Sequence, residues 1–423
     1  MRCEVTGITH KGEGVGRMNG QAVFIPYALP GETAEVEIRE RKKNYLRARL
    51  VDVVSASPDR IEAACPYYSR CGGCSYQHMN YSRQLELKRQ VVQDNLARIG
   101  GLEVEVEPVV GMSDPWRYRN KVEWHVAKKD HSYQMGYHIP DSHKLIAIDS
   151  CLLISPAVEA LSLHLREHLD DLGLPEQCRI TVRQSSANGE LMVVMEGTVT
   201  GKAVVQHLAG YSGLSSIYCV DRGRIIHKHG RPSLAERLAG IDYEISPLAF
   251  FQVTHQQAEL LVDVVQQFAQ LGPADTVLEG YCGIGSITLP LARSAGRIIG
   301  VESYLGAVKD ARENARRNKI TNCEFFAGAC EKVIPAMKDR FDVVVLDPPR
   351  AGCKKEVIGA VVKTVPQRII YVSCNPGTQA RDLKIFCQDG YAVKKVQPID
   401  MFPQTSHVEC VVLMQRSDLW DKS

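Results

Sequence analysis

Three short segments hold most of the reactive side chains of this chain. Ile369-Ile-Tyr-Val-Ser-Cys-Asn-Pro376 ends an apolar run on a thiol, Cys374. Val343-Val-Val-Leu-Asp-Pro-Pro-Arg350 ends another on a carboxylate, Asp347, and a guanidinium. His407-Val-Glu-Cys410 adds an imidazole and a second carboxylate, Glu409. Asn375-Pro376 turns the chain out of its strand and presents the thiol, as Pro348 does for Asp347. A thiol, a base and a cation at strand ends are the parts of nucleophilic covalent catalysis. They suit alkylation at carbon 5 of a pyrimidine. That carbon is too weak a nucleophile until a thiolate adds at carbon 6. Cys374 is then the nucleophile, and its pKa is expected to be lowered by nearby positive groups. Glu409 is the best-placed base, with His407 as the weaker alternative.

A second constellation reads as a cofactor site. Leu278-Glu-Gly-Tyr-Cys-Gly-Ile-Gly285 is a glycine turn after a strand, and Glu302 follows about 20 residues later at the end of the next strand. A carboxylate there accepts hydrogen bonds from ribose hydroxyls. Nicotinamide and S-adenosylmethionine enzymes share this geometry. The third glycine of the dinucleotide fingerprint is replaced by Thr288, which favours S-adenosylmethionine. Gln252 and Tyr281 are candidate lining groups, and Asp347 a candidate contact to the methyl donor or the pyrimidine. Arg350 stands where amine methyltransferases carry a base-stacking aromatic, which argues against an exocyclic amine as acceptor.

The third constellation is Cys65-x5-Cys71-x2-Cys74, with Cys151 as the candidate fourth ligand. Four thiolates suit zinc and equally a [4Fe–4S] cluster. Spacing alone leaves both open.

The elements that must position these groups follow from the pattern. A chain of 423 residues holds two or three domains. Its longest apolar runs are strand-sized, so no membrane helix is expected. The first residues lack a signal-peptide core, and a cytosolic, reduced location is expected for its 14 cysteines. Residues 1–54 show short alternating strands and tight turns, a small barrel. Its segment Arg39–Arg49 carries six basic residues against one acid, a candidate phosphate-contacting edge. Residues 62–245 read as a mixed α+β domain, with a helix from about 81 to 99 stopped by Gly100-Gly101. From 246 to 423, continuous Val/Ile strands alternate with helices, as in a doubly wound sheet with ligands at the strands' carboxyl ends. Arg41, Lys42, Lys43 and Arg117 or Arg119 are expected to touch phosphate. Trp116 and Tyr118 are candidate base-stacking rings.

As an ordered set, these motifs resemble the RNA uracil-5-methyltransferases, in the class with an N-terminal TRAM domain and an iron–sulfur cluster. The likeness is carried by Cys71-Gly-Gly-Cys74-x-x-Gln77-His78, Tyr118-Arg-Asn-Lys121, Phe250-Phe-Gln252, Tyr281-Cys-Gly-x-Gly285, Asp347-Pro-Pro-Arg350, Ser373-Cys-Asn-Pro376 and His407-Val-Glu-Cys410. The resemblance implies a TRAM-like barrel, a central domain holding a [4Fe–4S] cluster on Cys65, Cys71, Cys74 and Cys151, and a Rossmann-like methyltransferase domain. It implies that Gln252, Tyr281, Glu302 and Asp347 bind S-adenosylmethionine, that Cys374 is the nucleophile, and that Glu409 is the base. It also implies that the helix after Cys74 packs with the methyltransferase domain. The family usually has aspartate at Glu279 and often Asn or Thr at Ser286. Both departures bear on donor affinity. The expected substrate is RNA, 23S rRNA in the first place and tRNA in the second, acted on by a monomer. The rival readings are RNA cytosine-5 methylation and an iron–sulfur RNA-binding protein without activity.

Overall fold

A computed structural model describes residues 1–140, 142–197 and 201–417. The last six residues of the expected catalytic domain lie outside the described residues. Strands β1 (Arg2–Ile8), β2 (Glu13–Met18), β3 (Gln21–Pro26), β4 (Thr33–Arg41) and β5 (Tyr45–Ser55) close a barrel in the order β1-β2-β3-β5-β4. Alternation does this. Cys3 and Val5, Val23 and Ile25, Ala34 and Val36, Leu46 and Ala48 all point inward, at every second position.

After the cysteine loop comes helix α1 (Tyr81–Asn95), capped by the Asn80 side chain. A short π-helical turn, Leu96–Gly100, follows, and Gly101 ends it in the left-handed region. Val92 and Leu96 are buried in the same core as the strands of the C-terminal sheet. The helix therefore belongs physically to that sheet, as the family resemblance implied.

The central sheet has seven strands: β6 (Lys121–Lys129), β7 (Ser132–His138), β8 (Leu145–Ala147), β9 (Gln177–Gln184), β10 (Leu191–Glu196), β11 (Leu214–Asp221) and β12 (Arg224–Gly230). Their order is β12-β11-β10-β9-β6-β7-β8, antiparallel except between β10 and β11. Helices α2 (Pro156–Glu167) and α3 (Lys202–Leu208) contribute Val158, Leu161, Leu165, Val204 and Leu208 to its core. The hairpin β13 (Leu234–Leu238) and β14 (Ile241–Ile245) packs elsewhere. Its Leu238, Ile241, Tyr243 and Ile245 enter the core of the C-terminal sheet.

That sheet is β15 (Thr276–Gly280), β16 (Arg297–Glu302), β17 (Cys323–Ala327), β18 (Val343–Leu346), β19 (Arg368–Ser373), β20 (Tyr391–Ile399) and β21 (Glu409–Arg416). The order is β17-β16-β15-β18-β19-β21-β20. The first five are parallel, and β21 runs antiparallel to both its neighbours. Helices α4 (His255–Ala269), α5 (Thr288–Ala292) and α6 (Leu305–Arg317) cover one face. Besides α1 and the short α7 (Cys330–Val333), α8 (Lys355–Thr364) and α9 (Pro376–Gln388) cover the other. Strands buried on both faces explain the unbroken Val/Ile runs. The order reverses between β15 and β18, so ligands are expected above their carboxyl ends. Among the described residues no helix is long and apolar enough to cross a membrane.

Candidate active site

The thiol and the carboxylate meet because β21 is antiparallel. Ser373 pairs with Cys410, so one step further puts Cys374 opposite Glu409. A parallel strand would have carried Glu409 to the other end of the sheet. Asn375 caps α9, accepting from Gly377 N at 3.0 Å, with Pro376 in the first turn. The Asn375 amide also donates to the Arg350 carbonyl at 3.1 Å, as does the Thr378 hydroxyl at 3.1 Å. These bonds tie the Asp347-Pro-Pro-Arg350 turn to the thiol's turn.

The electrostatics corrects one expectation. The Cys374 thiol is pushed up, not down: burial leads, and the Glu409 and Asp347 charges add to it. Arg350 opposes this but does not win. Burial also lifts Asp347 to about 7. Glu409 is raised well above the usual carboxylate range, by burial first and by Asp347 second, against Arg350. Two carboxylates in one desolvated site resist ionising together. His407 sits at the rim, its Nε2 3.5 Å from Arg350 Nη2. Desolvation, then the Arg350 charge, pushes its pKa down to about 4, so it is neutral at pH 7.

Cys374 opens into a cleft of about 600 Å³. The opposite wall is the barrel, through His10, Lys11, Gly12 and Arg47, and the cysteine loop, through Gly73 and Ser75. The sequence reading pointed to the 39–49 edge and missed the β1–β2 loop. A single His-Lys pair in a loop carries no periodic signal. Within the expected edge, Lys42 is paired with Glu40 at 2.6 Å, and Arg39 and Arg49 both reach Glu37.

At the donor end, Glu302 is anchored by the glycine turn. Its Oε2 accepts from Gly283 N at 3.2 Å, and its Oε1 accepts from Tyr304 N at 2.6 Å. Gly283 takes a positive φ of 55° there, a conformation that favours glycine. Tyr281 also has positive φ and packs its ring beside the core under β15. Asp347 N reaches back to the Gly280 carbonyl at 3.4 Å. Gln252 is placed by Asn120, whose amide nitrogen donates to the Gln252 carbonyl at 3.4 Å and whose backbone N donates to Val253. Glu279, the departure from the family, is buried beneath the turn. Burial pushes it up to about 8, opposed by the Thr288 hydroxyl that donates to it.

Cys65, Cys71, Cys74 and Cys151 line one small cavity of about 60 Å³. Burial raises Cys71 to about 11 and Cys74 to about 12, and the neighbouring thiols add to both shifts. Arg119 lines the same cavity, and its Nε is buried without a hydrogen-bond partner. Arg117 donates to the Cys151 carbonyl at 3.1 Å and pairs with Glu159 at 2.5 Å. Both arginines therefore serve the cysteine pocket, not a free phosphate-binding surface. Tyr118 is likewise engaged, donating to the Pro403 carbonyl at 2.9 Å.

Comparison with known proteins agrees with this architecture. The family described as tRNA (Uracil-5-)-methyltransferase matches residues 234–417, and the TRAM domain matches residues 1–51. A protein of Halalkalibacterium halodurans, named as an uncharacterized RNA methyltransferase, is 37% identical over 97% of this chain and 96% of its own length. A Listeria monocytogenes protein of the same designation is 38% identical, again over 97% and 96%. The chain belongs to the RNA uracil-5-methyltransferase family. It is an S-adenosylmethionine-dependent enzyme with an N-terminal TRAM barrel and a C-terminal methyltransferase fold. The fold extends to the crystal structure of the Pyrococcus abyssi tRNA (uracil-54, C5)-methyltransferase in complex with S-adenosyl-L-homocysteine. This is similar over 98% of the present chain and 100% of the archaeal one, with 29% identity and a TM-score of 0.78.

Proposed function

We propose that this enzyme methylates carbon 5 of one uridine in RNA through a covalent bond between Cys374 and carbon 6. The observation that carries the reading is the register that sets the buried Glu409 opposite Cys374, which itself lines the cleft. S-adenosylmethionine, when bound, supplies an electrophilic methyl group, held by Gln252, Tyr281, Glu302 and Asp347. Cys374 Sγ forms a bond to carbon 6, and the displaced electron pair makes carbon 5 nucleophilic. After carbon 5 is alkylated, Glu409 takes its proton. The electron pair left behind restores the 5,6 double bond and expels the Cys374 thiolate. Arg350 favours both anions, the thiolate and the Glu409 carboxylate.

We propose that Cys65, Cys71, Cys74 and Cys151, which line one cavity, hold a [4Fe–4S] cluster. Among the described residues, the groups of three metal-binding side chains within 4.8 Å of one another are His164, Glu167, His168 and His168, Asp171, His207. No three of the four sulfurs thus lie all within 4.8 Å of one another, whereas tetrahedral zinc with Zn–S bonds of about 2.3 Å would hold them roughly 3.8 Å apart. Arg119, with its unpartnered Nε, offers a counter-charge to an anionic cluster. The role proposed for the cluster is to fix the cysteine loop at the cleft.

We propose 23S rRNA as the substrate, because the barrel and the cysteine site form a second wall suited to a structured RNA. A tRNA substrate is the second reading, favoured by the full-length similarity to an archaeal tRNA enzyme. Total RNA from a strain lacking this protein should accept labelled methyl groups from the purified enzyme. Nucleoside analysis should give 5-methyluridine, and mapping decides between the two RNAs. Label in 5-methylcytidine would overturn the reading.

A further inference from the structure

We propose that Gln84, Lys88 and Ser75 are positioning residues for the base, linking the cysteine loop to Glu409. The inference rests on the reading of Glu409 given above. The stretch Asp400–Ser406 joins β20 to β21 and leads into Glu409. Such a connection would ordinarily be held by its own sheet. Here Tyr118, Thr254 and Gln257 take up some of its carbonyls, and several of its other polar groups are taken up by residues more than 300 positions earlier. Lys88 and Asp400 are both 0% exposed, with Nζ 2.6 Å from Oδ1, and Lys88 also donates to the Phe402 carbonyl at 3.1 Å. Tyr81 OH donates to the other Asp400 oxygen at 3.0 Å. Gln84 and Gln404 form a reciprocal pair. Gln84 Nε2 donates to Gln404 Oε1 at 3.0 Å, and Gln404 N donates to Gln84 Oε1 at 3.0 Å.

The cysteine loop closes the same knot. Ser75 N and Tyr76 N both donate to the Gln404 carbonyl at 3.0 Å, and Ser406 N donates to Ser75 Oγ at 2.8 Å. The barrel reaches it as well. A Cβ on Gly12, whose φ is +83°, would lie 2.7 Å from the Tyr76 ring and 3.2 Å from Ser406. Only glycine fits that approach. Cys74 is thus one residue from a hydrogen bond to Ser406, which is itself three residues from Glu409.

The thiol is held differently. Its turn is built by β19, the α9 cap and the Arg350 carbonyl. Helix α1 approaches α9 two turns away from Lys88, where Asn95 and Ile99 lie beside Gly377. Buried polar pairs of this kind add little net stability over apolar packing but demand one geometry. Loosening the knot should therefore displace the base and spare the nucleophile.

The chemistry gives that displacement its own signature. Bond formation by Cys374 precedes proton removal by Glu409, so slowing the second step leaves protein covalently attached to RNA. The experiment incubates the full-length enzyme with S-adenosylmethionine and total RNA from a strain lacking the protein. It measures methyl transfer, RNA-linked protein on denaturing gels, and hydrogen exchange of residues 401–408. Gln84→Ala should turn over about tenfold to a hundredfold more slowly. RNA-linked protein should accumulate, as with Glu409→Gln, and exchange in 401–408 should quicken. Ser75→Ala, which removes one hydrogen bond and leaves the core intact, should change all three in the same direction to a smaller extent. Parallel loss of turnover and adduct in both variants would overturn the proposal, as would unchanged exchange. If Glu409→Gln itself accumulates no adduct, the assignment of the base fails, and this inference with it.

Discussion

The Cys374 cleft and the four-cysteine pocket use the same atom in opposite surroundings. Cys374 faces a cleft of about 600 Å³ that Arg350 also lines, and two buried carboxylates behind it, Asp347 and Glu409, are both held above the usual carboxylate range. The four cysteines face a cavity a tenth that size, and each other. The first site has room for a large partner and, on the proposed function, moves protons. The second has room for a small permanent occupant and would release protons once, on filling. Burial raises thiol pKa values in both. On the proposed function, what separates the nucleophile from the ligand set is access and the presence of a proton acceptor, not the thiol's own acidity.

The largest effect should come from removing the sulfur of the open site. Cys374→Ala is expected to lower methyl transfer by more than about 10³-fold while RNA affinity stays within about threefold. Filter binding and single-turnover assays measure the two separately. Unchanged methylation would end the distinction between the two sites. At the closed site, if it holds the proposed cluster, Cys151→Ser should strip iron and sulfide while leaving Cys374 open to alkylation. Activity should fall about tenfold or more through the displaced base. Full iron content in that variant would remove Cys151 from the ligand set.

The pH dependence sharpens the comparison next. Cys374 and Glu409 must both lose protons, and both are held above their usual ranges. The kcat/KM of the enzyme should therefore climb through neutral pH into the alkaline range, by about tenfold per unit for each group still protonated, up to about a hundredfold where both are. Arg350→Ala removes the group that lowers both, so its rising limb should shift to higher pH. A profile already flat at neutral pH would contradict the electrostatics described for the cleft. Stability should show the same surroundings at Glu279. Its folded pKa is raised to about 8, so its contribution is full below the unfolded carboxylate range and is lost as pH climbs to about 8. Glu279→Gln should gain on the wild type as pH rises, on the order of a few kcal/mol by pH 8. Thermal melts at pH 5 and pH 8 would show whether the gap opens.

Much of the catalytic half was legible because its signals are local. A Val/Ile run, a proline and a reactive residue mark the ends of β18 and β19 without any long-range information. The register of β21 was not legible in that way, yet His-Val-Glu-Cys placed Glu409 at a strand start, which was enough. Helix α1 shows where such reading stops. The helical spacing of Leu85, Lys88, Val92 and Leu96 reads as one face in the sequence, and Lys88, Val92 and Leu96 are buried, but so are Gln84, Leu87 and Val91, while Leu85 is half-buried. Gln84 and Lys88 are inside because Gln404 and Asp400 meet them there. No pattern within 15 residues can announce a partner 300 residues away. The arginines of Trp116–Lys121 misled for the same reason, since a basic run looks alike whether it faces phosphate or a cavity of thiols.

The smallest expected effect concerns the barrel. If the cleft is the path of the RNA, its wall, Arg47 included, should carry the salt dependence, and the rest of the 39–49 edge should carry less. Lys11 lies in the cleft wall, whereas Lys42 is compensated by Glu40 and Arg49 by Glu37. Lys11→Ala should reduce the slope of log affinity against log salt by about 0.7 to 0.9, the share of one phosphate contact. Lys42→Ala should change it by less than half of that, because an exposed lysine already paired with a carboxylate releases fewer counterions. Equal losses would mean that RNA wraps the outer edge as well as the cleft. A loss at Lys42 alone would move the RNA path off the Cys374 side of the barrel.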